Sequence, residues 1–349
     1  MNALKRFHGC LLPLAASYAG LMRLRARGYA RHWRRSWRPP RPAISVGNIG
    51  WGGSGKTPLC EWLLHWSLQQ NLTPLLLSRG YKAKPAARPY QVRPDSPVQQ
   101  AGDEPLMLAR ATGAPILVDT NRSRSGRWGW EHLAPDLFVL DDGFQHLAVQ
   151  RDLDLVLLRP EDLHQEWNRV LPAGSWREGA QALHRASAFC INASPGQFQD
   201  LHSTIIHRLA GLKKPIFSFH LQASGFLRVK DTTRRSRLPG TGYLLISGVA
   251  NPQKIEHTAL QTQGQAPAVH LRFPDHYAYT RNDWRRIQDR AASLGDPALL
   301  CTPKDSVKLE QFDQGTLWTF ALNLAFGPAL FTELDFPAWL DKQFAKIPV

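Results

Sequence analysis

The chain has 349 residues, of which 43% are apolar and 20% charged, a composition typical of globular proteins with room for two domains. Its four cysteines are scattered, with no C-x-x-C pair and no histidine cluster nearby, which argues against a zinc site or a disulfide framework. The formal net charge is +15. An excess of this size favours an anionic partner.

Residues 1–40 are basic and amphipathic. The first 41 residues contain ten Lys or Arg, whereas the first acidic residue of the chain is Glu61. Apolar residues recur at steps of three and four, so they share one helical face: Leu4, Phe7, Leu11, Leu14, Tyr18 and Leu21. The longest uncharged run, Phe7 to Met22, has 16 residues and includes Pro13, which makes it too short for a spanning helix.

We therefore expect residues 1–40 to lie in the headgroup plane of an anionic membrane, with Trp33 and Trp37 at the boundary. The alternative is an ordinary surface helix packed on its own domain. A nucleic-acid-binding arm ranks last, and no nucleic acid is expected, because no recognition-module pattern accompanies the charge.

A phosphate-binding loop follows a short apolar strand, Ala43 to Val46, and precedes an apolar helix, Leu59 to Leu68. It matches G-x-x-x-x-G-K-[ST] in full, with Gly50, Trp51, Gly52, Gly53, Ser54, Gly55, Lys56 and Thr57. The glycines let backbone N–H groups surround a β-phosphate at a helix N-terminus. Lys56 can reach the β- and γ-oxygens, and the Thr57 hydroxyl can ligate Mg²⁺, so the motif predicts ATP bound with Mg²⁺.

A metal-binding carboxylate is expected at the end of a neighbouring strand. The apolar run Leu137 to Leu140 ends in Asp141, the preferred ligand, and Asp142, the second choice, which is otherwise a turn residue before Gly143. Further buried strands are predicted at residues 73–78, 115–118, 153–158 and 188–191, with a helix over 104–112. This alternation predicts a doubly wound α/β sheet over residues 41–215.

Residues 216–349 are predicted to form a second, smaller α/β domain. An extended connector at about 218–229 precedes strands at 243–247, 269–273, 298–301 and 317–322, and helices at 252–260, 281–292 and 336–344. His276 lies just after a strand end, where α/β folds place ligand-facing groups. From the local sequence alone, the simpler interpretation of His276 is a surface-loop histidine, and the simpler interpretation of Asp103 is a helix cap.

Eight short blocks follow one another in this order: GNIGWGGSGKTP (47–58), LSRGY (77–81), AGDEP (101–105), LDDGFQH (140–146), LPAG (171–174) with Arg177-Glu178, ISGVANPQK (246–254), FPDHYAY (273–279) and TPKDSVKL (302–309). Together they resemble the tetraacyldisaccharide 4′-kinase family of the lipid A pathway, over nearly the whole chain. The chain departs from the usual family pattern at Pro303, where Glu is common, and at residues 82–84, which replace a Gly-Gly-Lys continuation.

The resemblance implies a P-loop kinase with two α/β domains, the second closing over the acceptor site. Such an enzyme transfers the γ-phosphate of ATP to the 4′-hydroxyl of a tetraacyldisaccharide 1-phosphate, giving lipid IVA. It implies Asp103 as the base, oriented by His276, beside Lys56 and the metal ligands Thr57, Asp141 and Asp142. It also implies a membrane-associated N-terminal helix, and hence a peripheral or monotopic enzyme at the cytoplasmic face of the inner membrane.

The main alternative is a P-loop GTPase or a metallochaperone-type switch protein. Such a protein should carry a guanine-specifying N-K-x-D element or a Cys/His metal cluster, and the sequence contains neither. We also expect arginines to be available for the acceptor's own phosphate, from Arg79, Arg122, Arg124 and Arg177. His146 is interpreted as a structural residue that supports the aspartate strand.

Overall fold

The computed structural model describes residues 2–348, and the side chains of residues 11–348 among them. The predicted apolar positions Leu4 and Phe7 lie outside the described side chains. The strands are β1 (Ala43–Asn48), β2 (Pro74–Ser78), β3 (Tyr90–Val92), β4 (Ile116–Val118), β5 (Leu137–Asp141), β6 (Leu153–Leu158), β7 (Ala188–Asn192), β8 (Ile216–Arg228), β9 (Arg234–Arg235), β10 (Tyr243–Ser247), β11 (Val269–Arg272), β12 (Ala298–Cys301) and β13 (Leu317–Leu330).

The helices cover both faces of the sheet that these strands form. They are α1 (Asn2–Ala30), α2 (Lys56–Gln69), α3 (Val98–Ala101), α4 (Asp103–Thr112), α5 (Arg122–Leu133), α6 (Pro160–Leu163), α7 (Pro195–Asp200), α8 (His202–Leu209), α9 (Pro252–Gln263), α10 (Arg281–Ala292), α11 (Pro303–Leu309) and α12 (Phe336–Phe344).

The sheet is mixed but mostly parallel, in the order β11-β10-β12-β13-β8-β7-β6-β1-β5-β2-β4-β3, with β9 paired to β8. The predicted α/β class with a large parallel sheet is therefore confirmed. β1 lies centrally between β5 and β6, and all its residues are buried. The carboxyl ends of β1 and β5 meet at one edge, where Val46 pairs with Asp141, and α/β folds bind their ligands at such an edge.

Both halves of the chain share this one sheet through β8 and β13. The segment expected to be a connector is strand β8, which pairs with β7 in parallel and with β13 in antiparallel. β13 continues to Leu330, past the predicted strand end at residue 322, and includes Gly327 and Pro328. A register shift between Phe326 and Ala329 accommodates them, as β-bulges do for residues that cannot continue a regular ladder.

Helix α1 runs without interruption through Pro13 and then continues into an irregular basic segment. Its side chains from residue 11 onward place Ala15 against the protein, with Tyr18 and Ala19 packed on a buried apolar cluster. Four leucines on α1 are between 57% and 62% exposed: Leu12, Leu14, Leu21 and Leu24. Among the described residues, no helix combines the length and apolar character needed to cross a bilayer.

The expectation that Trp37 lies at a membrane boundary is wrong. Trp37 is only 8% exposed, and its ring meets Phe138 edge-on with 5.5 Å between ring centroids. Gly126 makes room for it, because a Cβ at that glycine would lie 2.1 Å from Trp37 Cζ3. The Trp37 backbone also donates to Ala148 O at 2.8 Å, which fixes it against the loop after β5. Trp33, by contrast, is 67% exposed, in keeping with a surface position.

This contrast generates a stability prediction. Trp37→Ala should lower the free energy of unfolding by about 3–5 kcal/mol, because it leaves a cavity between Phe138 and Gly126. Trp33→Ala, the matched control, should change it by less than about 0.5 kcal/mol, since the side chain is exposed. Urea unfolding followed by circular dichroism measures both. Equal effects of the two substitutions would contradict the core position of Trp37.

Candidate active site

The phosphate loop connects the end of β1 to the first turn of α2. Gly55 immediately precedes α2 with φ 91°, in the left-handed region that favours glycine. A Cβ there would lie 2.9 Å from both Asn192 Nδ2 and Phe219 Cε2, so the position also lacks space for a side chain. Asn192 Nδ2 donates to Ser54 O at 3.3 Å, and Trp51 N donates to Ser175 O at 3.0 Å. These bonds hold the loop against its neighbours.

Lys56 and Thr57 occupy the first turn of α2, as the motif predicts. Lys56 Nζ lies 3.7 Å from Asp142 Oδ1. The Thr57 hydroxyl donates to Glu104 Oε2 at 2.7 Å. Sequence reasoning did not single out Glu104, although it stands in the AGDEP block beside Asp103. Since a hydroxyl that donates its proton keeps its lone pairs, the contact with Glu104 leaves the Thr57 oxygen able to bind a cation.

The pKa values of the two aspartates at the end of β5 are shifted in opposite directions. Ser78 Oγ donates to Asp141 Oδ2 at 2.9 Å, while Asp141 Oδ1 has no hydrogen-bond partner among the described residues. Burial, followed by the negative charges of Glu104 and Asp142, raises the pKa of Asp141 to about 6.

Asp142 stands in the left-handed region, with φ 50°. Arg177 Nη1 donates to its Oδ2 at 2.7 Å. Burial alone would raise the pKa of Asp142, but the charges of Lys56 and Arg177 outweigh burial and lower that pKa below its usual value. One carboxylate therefore stays ionised while the other takes up a proton readily.

The structure brings together the two residues that the family resemblance paired. Asp103 opens α4, and His276 lies in the loop after β11, 173 positions along the chain. His276 Nδ1 is 3.2 Å from Asp103 Oδ2. His276 has φ 58°, and its backbone N–H donates to Gly248 O at 3.3 Å, which fixes the direction of the ring. The Tyr81 ring packs edge-on against it, with 5.1 Å between centroids.

Helix α11 adds two lysines that sequence reasoning did not assign, although the TPKDSVKL block contains them. Lys304 Nζ lies 2.9 Å from His276 Nε2, and the buried Lys308 Nζ lies 3.5 Å from Asp103 Oδ2. Burial alone would raise the pKa of Asp103. The hydrogen bond with His276 and the charges of Lys308 and Lys304 outweigh burial and lower that pKa below its usual value.

Buried Asp305 anchors α11 to Gly248, just after β10, whose carbonyl oxygen accepts the backbone N–H of His276. Its Oδ2 accepts from Gly248 N at 2.9 Å and from Thr302 Oγ1 at 2.7 Å, and its Oδ1 lies 3.0 Å from Lys308 Nζ. Lys308 therefore stands between two carboxylates, which balances the cost of burying its charge.

The four arginines considered for the acceptor phosphate differ in their surroundings. Arg122 is 4% exposed and donates to Asp141 O at 3.3 Å, and Arg177 is bound to Asp142. Arg124 is already paired in bidentate fashion with Asp119, at 2.7 and 2.8 Å, whereas Arg79 is exposed. Burial and neighbouring arginines lower the pKa of His146 to about 4, so this histidine is neutral near pH 7.

A groove of about 740 Å³ lies between α1 and residues 168–185. Its α1 wall is built largely from small and apolar side chains. Arginines of both walls line it as well, namely Arg23, Arg27, Arg169 and Arg185. It combines apolar surface with positive charge.

A phosphate loop, a strand-end carboxylate pair and an Asp–His contact meeting at one sheet edge define a P-loop phosphotransferase. The sequence model of the family described as Tetraacyldisaccharide-1-P 4′-kinase matches residues 7–342. The chain belongs to this family and is an ATP-dependent tetraacyldisaccharide 4′-kinase of lipid A biosynthesis. The predicted family and activity are confirmed, which sets aside the switch-protein alternative.

Individual relatives agree over nearly the full chain. The tetraacyldisaccharide 4′-kinase of Nitratidesulfovibrio vulgaris is 48% identical over 338 residues, covering 97% of this chain and 94% of the relative. That of Oleidesulfovibrio alaskensis is 48% identical over 324 residues, covering 92% and 89%. The crystal structure of LpxK from Aquifex aeolicus in complex with ATP superposes with a TM-score of 0.77 at 26% identity, covering 97% of this chain and 99% of that one.

The two aspartates provide a paired stability prediction. Because the folded pKa of Asp141 is about 6 against an ordinary value of 3.8, the folded state binds the extra proton between these pH values, and stability falls as pH rises through that window. At about pH 8, without nucleotide, Asp141→Asn should therefore raise the free energy of unfolding by about 1–3 kcal/mol. Asp142→Asn should lower it, since the ionised form of Asp142 is the favoured one. Urea titrations at about pH 8 and pH 4 measure both variants.

The increase in the free energy of unfolding caused by Asp141→Asn should be smaller at the lower pH, where wild-type Asp141 carries its proton. A destabilised Asp141→Asn protein at the higher pH would contradict the account of its burial.

Proposed function

We propose that the phosphate loop holds ATP and that Asp103 receives the 4′-hydroxyl of the tetraacyldisaccharide 1-phosphate. The observation that carries the assignment is the 3.2 Å contact between Asp103 Oδ2 and His276 Nδ1. It lies next to the nucleotide site, because the neighbouring Glu104 contacts Thr57. ATP in the Aquifex aeolicus relative supports the same nucleotide here. The loop residues Gly50–Thr57 would surround the phosphates with backbone N–H groups, and Lys56 would contact the β- and γ-oxygens.

Thr57, Asp141 and Asp142 fit Mg²⁺ as its ligands. Asp141 Oδ1 and Asp142 Oδ1 are buried oxygens without a hydrogen-bond partner in the described part of the chain, and a hard cation satisfies such oxygens. Mg²⁺ in phosphoryl-transfer sites takes one or two carboxylates beside water and phosphate oxygens, so this small set is sufficient. When bound, Mg²⁺ neutralises charge on the β- and γ-phosphates.

Asp103 orients the sugar hydroxyl and receives its proton late in the transfer. Its pKa is lowered, so Asp103 is ionised near neutral pH and is a weak base. A weak base suffices, because the transferred phosphoryl group develops little bonding to the acceptor before the transition state. His276 holds the carboxylate in place. Among the four arginines, Arg79 is exposed and forms no ion pair with a described residue, so it can bind the acceptor's own phosphate.

We propose that the chain divides into residues 1–40, 41–215 and 216–349, with the last part closing over the acceptor site. Asp103 belongs to the nucleotide-binding half, whereas His276, Lys304 and Lys308 belong to the other, so the site depends on both. Closure would exclude water, which otherwise competes with the sugar as phosphoryl acceptor.

The exposed leucines of α1 and the basic segment after it suit attachment to an anionic membrane surface, at the cytoplasmic face of the inner membrane. Leu12, Leu14, Leu21 and Leu24 would enter the headgroup boundary beside Trp33, while arginines meet lipid phosphates. The groove beside α1 would then receive acyl chains of the acceptor as it leaves the bilayer.

The activity test uses ATP, Mg²⁺ and tetraacyldisaccharide 1-phosphate in detergent micelles. Lys56→Ala and Asp103→Ala should each lower kcat by a factor of about 10² or more, because each removes a group that acts on the transferring phosphate or its acceptor. Formation of the bisphosphorylated product is followed by thin-layer chromatography. Lys254→Ala, on the exposed side of α9, is the control and should retain the wild-type rate. Near-normal turnover by either site variant refutes its assigned role.

Membrane attachment is tested by sedimentation with vesicles. The triple variant Leu21→Ser, Leu24→Ser and Trp33→Ser should weaken binding to phosphatidylglycerol vesicles about tenfold or more, since it removes exposed apolar contacts. The matched control replaces Leu221, Leu260 and Leu294, which are 37–41% exposed elsewhere on the surface, with serine. Wild-type binding should also fall with added salt and on neutral vesicles. Unchanged sedimentation of this triple variant would exclude attachment through α1 and the segment after it.

A further inference from the structure

Both ring nitrogens of His276 are engaged. Nδ1 lies 3.2 Å from Asp103 Oδ2, and Nε2 lies 2.9 Å from Lys304 Nζ. A lysine ammonium carries donors and no acceptor, so Nε2 has to accept the bond from Lys304. The ring proton is then on Nδ1, from which it is donated to Asp103. The two contacts together specify a neutral imidazole in a single tautomer.

Lys304 is itself held in place. It is the second residue of α11, its side chain is 20% exposed, and its Nζ also lies 3.1 Å from Asp275 Oδ1. One helical turn further, Lys308 faces Asp103. An ammonium group of α11 thus faces each member of the Asp103–His276 pair.

We propose that Lys304 is a positioning residue that fixes the tautomer of His276, so that Nδ1–H points at Asp103. The proposal rests on the proposed roles of Asp103 and His276. The contacts of Asp103 with His276 and Lys308 both use Oδ2, so Oδ1 stays available for the sugar hydroxyl. If the proton moved to Nε2, Nδ1 would present a lone pair to the carboxylate, and the pair would repel. Lys304 thereby keeps Asp103 in the orientation that the acceptor needs.

The direct test is nitrogen NMR of the full chain labelled with ¹⁵N-histidine in detergent micelles. Long-range ¹H–¹⁵N correlation distinguishes the two tautomers and the imidazolium, and a His276→Gln sample assigns the signals. We expect a protonated Nδ1 and an unprotonated Nε2 near neutral pH. A proton on Nε2, or on both nitrogens, overturns the proposal.

Substitutions supply the functional readout. Lys304→Met should lower kcat about tenfold or more with little change in the KM for ATP, and should move the His276 signals towards a protonated Nε2. Lys304→Arg keeps a donor-only group and should retain the Nδ1–H signal and recover much of kcat. Lys254→Met is the matched control and should leave both unchanged. A Met variant with wild-type kcat and an unshifted His276 signal refutes the proposal.

Two readouts separate this proposal from the proposed function. Should Lys304→Met fail to fold, the wild-type spectrum and the Arg variant still decide the tautomer. Should Asp103→Ala and His276→Gln keep full turnover, their proposed roles fail, whereas the spectrum reports on the Lys304 contact independently of turnover.

Discussion

The antiparallel ladder between β8 and β13 determines where the second half of the chain lies. Because β8 also pairs with β7, the nucleotide-binding strands and β10–β12 belong to a single hydrogen-bonded sheet. Helix α11 consequently packs on α4, and groups far apart in sequence meet at Asp103. Closing so long a loop costs chain entropy, which the extended ladder and its buried aromatic residues offset. The composite site is thus a product of sheet continuity.

At this site, burial and nearby charges give neighbouring carboxyl groups different pKa values. Asp141 and Asp142 are adjacent, yet the first is penalised by burial and the second is held ionised by Lys56 and Arg177. A protein optimised for stability alone would not bury an incompletely satisfied carboxylate beside two others. The proposed role of Asp141 as a Mg²⁺ ligand would account for a carboxylate kept at a cost to the unliganded fold.

Much of this architecture was predictable because local signals were strong. The phosphate loop, the apolar strands and the Asp141–Asp142 pair follow from motif and pattern, and the structure places them as expected. The prediction for Trp37 was wrong, because an aromatic residue among arginines is typical of a membrane boundary. Trp37 is a core residue only because the folded chain leaves space for its ring over Gly126. The second half of β13 was missed because it is defined by pairing with β8, which lies far earlier in the chain. Lys304, Lys308 and Glu104 carry no periodicity of their own, and their partners lie in other segments, so only the fold reveals their contacts.

On the proposed attachment of α1 to a membrane, the burial of Trp37 so soon after exposed Trp33 would affect the reaction rate. The chain passes from the surface segment into the core within four residues, which leaves little slack between α1 and the sheet. A helix bound to lipid would then hold the phosphate loop at a fixed height over the bilayer. The enzyme would sample its acceptor by diffusion in two dimensions, and its rate would follow the mole fraction of acceptor in the surface. Diluting the acceptor with inert lipid or detergent would slow turnover even when its bulk concentration is unchanged.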